Sequence, residues 1–165
     1  MYNISPGSFD AAFRTFAEVF PYASFWYVRG HGLFVAGNDP IKFSCDRASR
    51  AFDVSAVASD FASIDVHSPE ELVGFMLMDG AHITQYLKRN QNDQIVTDDN
   101  AYLEYKTPFE FMGRTDAIVP GLIENAGWSD EMFEADCDPV FKANARAVFS
   151  DRLQNILPEL AEPIR

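Results

Sequence analysis

The chain has 165 residues, 47% hydrophobic and 23% charged, which fits one globular domain and is too apolar for a disordered chain. Thirteen basic residues against 25 acidic ones leave a formal net charge of −12. That balance repels phosphate backbones and anionic membrane surfaces, so neither nucleic acid nor a membrane is an expected partner, whereas a polyamine would be attracted.

In chain order, Ser8 reads as a cap for a helix carrying Phe9, Phe13, Phe16 and Phe20 on one stripe, and Pro21 ends it. Tyr22 to Val28, YASFWYV, has apolar residues on both faces and suits an internal strand. Arg29-Gly30-His31-Gly32 is a glycine-rich turn, and Leu33 to Ala36 a second strand, antiparallel to the first. After Gly37-Asn38-Asp39-Pro40 the spacing of Val54, Val57, Ala58 and Phe61 is helical. Ser68-Pro69-Glu70-Glu71 is a strong helix start, and the pattern extends that helix through Leu72, Phe75 and Met78 to a break at Asp79-Gly80. Ile83, Tyr86 and Leu87 mark a helix ending near Lys88-Arg89. Polar residues 90–100 follow, and Tyr102 to Lys106 reads as a strand. Asp138-Pro139 opens a last helix with Phe149, Leu153, Ile156 and Leu160 on one stripe. A boundary is expected near Phe111 to Thr115, dividing 1–111 from a helical tail, 112–165.

Cys45 and Cys137 are far apart and outside any CxxC pattern, so two buried free thiols in a reducing, cytoplasmic setting are expected. Asp10, Arg14 and Glu18 argue against a signal peptide or anchor at the start. His31, His67 and His82 have no sequence partner for metal binding or for activating a nucleophile. The nine glycines form no phosphate-cradling strand-to-helix turn, and GxSxG, P-loop and HExxH patterns are absent. No catalytic, cofactor-binding or metal-binding residue is therefore assigned.

One segment carries chemistry. In Thr97-Asp98-Asp99-Asn100-Ala101-Tyr102-Leu103-Glu104-Tyr105, the carboxylates Asp98, Asp99 and Glu104 could face a cationic amine or gather a hard metal ion. Asp-Asp-Asn is also ordinary turn chemistry, which holds local backbone N–H groups and needs no ligand.

The order FAEVFPYASFWYV, a glycine turn, LFVAG, a helical stretch and then TDDNAYLEY resembles the carboxy-terminal part of spermidine-synthase-like proteins, in the bacterial branch often fused to a transporter-like membrane segment. The resemblance spans roughly residues 5–108. Asn100 fits a variable position of the family's TDD-x-P-x-LE-[YF] segment, and Ala101 stands where proline is usual. The resemblance implies the end of a methyltransferase-like, Rossmann-like fold, with the hairpin as its closing pair of strands. It also implies a family that transfers an aminopropyl group from decarboxylated S-adenosylmethionine to a diamine. The family's cofactor loop and catalytic aspartates belong upstream of the matching region, so none is carried over. The expected architecture is an α+β domain with a small, mainly antiparallel sheet from 22–36 and 102–106, packed helices and a helical tail. Two roles follow: the C-terminal portion of such a protein, pairing with a missing N-terminal half, or a stand-alone interaction domain that homodimerises through its hairpin edge.

Overall fold

The computed structural model describes residues 5–28, 30–90, 93–110 and 118–161. In chain order these are α1 (Pro6–Val19), β1 (Tyr22–Val28), β2 (His31–Gly37), α2 (Cys45–Phe52), α3 (Ser55–Ala62), α4 (Pro69–Val73), β3 (Met76–Met78), α5 (Gly80–Arg89), α6 (Tyr102–Glu110), α7 (Ile118–Glu124), a 3-10 turn (Asp130–Met132) and α8 (Pro139–Ala161). The fold is α+β with a small, open antiparallel sheet in the order β2-β1-β3.

The chain divides into two compact units, Met1–Pro40 with Leu77–Gly127, and Ile41–Met76 with Trp128–Arg165. The first is built around aromatic rings. Ser5, rather than Ser8, caps α1, and Pro6 occupies its first turn. The Phe stripe then points inward. Phe13 is fully buried, with its ring 5.1 Å from Phe25, 4.8 Å from Phe34 and 5.0 Å from Tyr86. Phe16 stacks on Phe34 at 4.2 Å. The Arg14 guanidinium donates to the carbonyls of Leu87 and Asn90, satisfying the open end of α5. Gly127 runs beside β3: its N–H donates to the Leu77 carbonyl and its own carbonyl accepts from Asp79.

In the second unit α4 and α8 meet closely. A Cβ on Gly74 would come within 2.6 Å of Val148, and the Arg152 guanidinium lies 3.6 Å from the Phe75 ring centre. Trp128 packs against Phe133 and Phe149, with Arg146 over its face. Asp138 accepts from the Phe141 N–H and Pro139 begins α8, as the sequence pattern anticipates.

Three expectations are corrected. Tyr102 to Lys106 is not a strand but the first part of α6, because the preceding turn supplies a helix start and the YLEYK side chains do not alternate between buried and exposed. The helix opened by Ser68 stops at Val73, and Met76–Met78 is β3. The run Leu72 to Met78 is apolar almost throughout, so periodicity could not separate a buried strand from a buried helix, and Gly74 marks the change. The cysteines are not free: Cys45 and Cys137 form a disulfide across a sequence separation of 92. Spatial adjacency of that kind leaves no trace in spacing. The expected boundary at 111–115 lies outside the described residues, as do Arg29 in the hairpin turn and the Leu160 side chain on the last stripe.

Candidate functional site

The hairpin is the surface that the fold leaves incomplete. Its strands pair in unbroken register from Tyr22 opposite Gly37 to Val28 opposite His31, with Gly30 in the turn between them. Gly30 sits there at φ 85°, a conformation that side-chain-bearing residues rarely adopt. Alternation then sorts the residues. Phe25, Tyr27 and Phe34 lie on the face covered by α1. Tyr22, Ser24, Trp26 and Val28 of β1, with Leu33 and Val35 of β2, share the other face. Trp26 stands opposite Leu33, and its indole N–H donates to Ser24 Oγ at 2.9 Å, so the ring is tied down along its own strand. On that face Leu33 is 51% exposed, and Tyr22 and Val35 are each 42% exposed.

β2 is the edge of the sheet, and among the described residues no strand pairs with its outer side. Its sequence, HGLFVAG, has no Lys, Asp, Glu or Pro, and its regular register contains no bulge. Edge strands of stable domains normally carry one of those protections. β2 also has apolar residues on both faces, the composition of a strand covered by a layer on each face.

The carboxylates singled out from the sequence are placed differently. Asp98, Asp99 and Glu104 are all exposed. Asp98 and Asp99 lie in the turn before α6 and Glu104 in its first turn, where negative charge is favoured by the helix dipole. The turn is organised by its neighbours: Asn100 Oδ1 accepts from the N–H groups of Thr97 and Tyr102, and Thr97 Oγ1 from the Asn100 N–H. Ala101 has φ 41°, which the fixed ring of a proline could not adopt. Among the described residues no group of three or more His, Cys, Asp or Glu side chains is arranged to hold a metal ion.

Two polar pairs escaped the sequence reading. Asp10 accepts from the Tyr86 hydroxyl at 2.6 Å and from Asn90 Nδ2 at 3.2 Å. Burial raises the Asp10 carboxyl above its ordinary value, against the opposing pull of Tyr86, Arg14 and Asn90. Burial also raises the Tyr86 hydroxyl, reinforced by the Asp10 charge. In the sequence Asp10 was visible only as a charge beside the Phe stripe. The second pair is Asp79 and His82: Asp79 Oδ1 caps α5 by accepting from the His82 N–H and also takes the ring Nδ1 at 2.6 Å. The D-x-x-H spacing at a helix start was the available signal. The other ring nitrogen packs on Gly127, where an added Cβ would lie 2.5 Å from Nε2.

No helix among the described residues is long and apolar enough to cross a membrane. Comparisons with protein-family models, with curated proteins and with solved structures found no match.

Proposed function

We propose that the chain is the C-terminal, sheet-completing portion of a spermidine-synthase-like protein, without catalytic competence of its own. In this proposal the outer edge of β2 receives a strand from the complementary, cofactor-binding half. The observation that carries it is β2 itself, an uncharged strand with apolar residues on both faces that stands at the edge of the sheet. The helix ending in Phe20-Pro21, the Trp26 strand and the antiparallel return are the elements that the resemblance assigns to the end of a methyltransferase-like sheet. The apolar face of Tyr22, Trp26, Leu33 and Val35 supports the same proposal, since it suits cover by another layer.

The family reaction is displacement by an amine at the carbon next to a sulfonium. An aspartate orients or deprotonates the amine and carboxylates hold the remaining ammonium. The groups that would bind decarboxylated S-adenosylmethionine belong to the complementary half. This chain contributes wall and acidic surface, with Asp98, Asp99 and Glu104 available to a polyamine by long-range attraction. A second copy of the chain is the competing occupant of the β2 edge, in a homodimer with no enzymatic role.

Calorimetric titration of the purified chain with methylthioadenosine, the by-product of aminopropyl transfer, and separately with putrescine and spermidine tests the proposal. The expected result is no saturable binding of the nucleoside. Saturable nucleoside binding would mean that the chain holds a complete site and would overturn the proposal.

A further inference from the structure

The second unit contains a lightly buried element, α2 with α3, that is anchored where α2 begins and again just past α3 at the fully buried Val66, whose N–H donates to the Phe61 carbonyl. Along α2 and α3, the only buried side chain is that of Cys45. Phe52 and Phe61 stack on each other at 4.9 Å, both partly exposed, and Val54 between the helices is 52% exposed. Several attachments gather at the start of α2. Phe43 pairs with the segment 132–134 through its N–H to the Met132 carbonyl and its carbonyl to the Glu134 N–H. Asp136 Oδ2 accepts from Ser44 Oγ at 2.7 Å and from the Asp46 N–H at 2.9 Å. Arg47 pairs with Glu134, and the Cys45–Cys137 bridge lies among these contacts. Among its main neighbours α2 has α3 and α4.

We propose that the Cys45–Cys137 bridge is a redox latch for α2 and α3. While it is closed, the two helices stay docked on the segment 132–137. When a dithiol reductant opens it, they detach, and the rest of the second unit stays folded through the α4–α8 packing at Gly74, Phe75, Val148 and Arg152. Cys45 and Cys137 are 7% and 4% exposed, so the reductant reaches the bridge during brief fluctuations around the sulfurs that leave the two helices tethered. A thiolate of the reductant attacks one sulfur, the S–S bond breaks and a mixed disulfide forms. The reductant's second thiolate then attacks its own sulfur in the mixed disulfide, closes the reductant's disulfide and expels the remaining cysteine as its thiolate. Two electrons pass to the cysteines, the dithiol leaves as its own disulfide, and two protons end on Cys45 and Cys137. The latch is thereby open in a reducing, cytoplasmic setting and closed in an oxidising one.

Backbone amide exchange on the intact chain, with and without dithiothreitol, reads this directly. Exchange over 45–62 should accelerate roughly tenfold or more on reduction, with 69–75 and 139–156 unchanged. The Cys45→Ala/Cys137→Ala double variant should show the reduced pattern and no response to dithiothreitol. Unchanged exchange over 45–62 on reduction would overturn the latch. Loss of protection throughout the second unit would also overturn it, by showing that the bridge holds the whole unit rather than this element. A double variant that keeps the slow, oxidised pattern would overturn it as well.

Discussion

The Tyr86 hydroxyl donates to Asp10 Oδ1 at 2.6 Å, joining α5 to α1 through a carboxylate that burial makes harder to ionise. Because the folded carboxyl sits above its ordinary 3.8, the folded state holds its proton more tightly than the unfolded chain does, and ionisation of this group costs stability as pH rises through the raised value. Asp10→Asn should therefore remove that loss, leaving a variant at least as stable as the parent at neutral pH. Tyr86→Phe should cost about 1–3 kcal/mol by deleting a hydrogen bond to a charged acceptor. Urea midpoints of the three proteins across pH 4 to 8 check both effects.

Asp136 has the opposite sign. The Ser44 hydroxyl, then the Asp46 N–H, hold its carboxyl below the ordinary value. Its contribution is present above that ordinary value and is lost as pH falls through the lowered one. Asp136→Asn should lower stability above the ordinary carboxylate value and leave it least changed at the acid end, which flattens the acid limb, as followed by thermal unfolding from pH 2 to 6.

Ala101 holds φ 41°, where a Cβ is unfavourable. Ala101→Gly should stabilise the first unit by about 0.5–1 kcal/mol, and Ala101→Pro should destabilise it by more than that gain. Denaturant midpoints distinguish the two outcomes.

Gly127 leaves room for His82: an added Cβ would lie 2.5 Å from Nε2 on a ring that Asp79 holds in place. Gly127→Ala should cost about 1–3 kcal/mol by overpacking. Adding His82→Ala should recover much of that loss, and a double-mutant cycle measures the coupling.

Local chemistry was legible in the sequence, and long-range adjacency was not. The Phe9, Phe13 and Phe16 stripe of α1, the antiparallel hairpin and the Ser68-Pro69-Glu71 and Asp138-Pro139 starts match the sequence reading, because prolines, caps and alternation act within a few residues. Ser5 rather than Ser8 caps α1, however, Phe20 lies past its end, and His31 and Gly32 belong to β2 rather than to the turn. β3 was hidden in a run that is apolar in either conformation. α6 was hidden because the start signal lies in the Thr97–Asn100 turn rather than in the helix residues themselves. The Cys45–Cys137 bridge and the Asp10–Tyr86 bond join residues 92 and 76 apart, and no local pattern marks either pairing. The exposed carboxylates stood out by composition and an exposed hairpin edge was anticipated, whereas which strand forms that edge emerged only with the strand order.

The most direct test is the association state of the chain in solution, measured by sedimentation over a wide concentration range. The edge of β2 should self-associate: open-ended association or insolubility favours an edge built for a strand from a complementary half, and a stable dimer favours the competing homodimer. Association should then rise with concentration, and also with added salt as the net charge of −12 is screened. Leu33→Lys, which puts a charge on the exposed apolar face beside that edge, should return the chain to a monomer. A parent that remains monomeric at every concentration and salt, indistinguishable from Leu33→Lys, would contradict the account of β2 as an unfilled sheet edge.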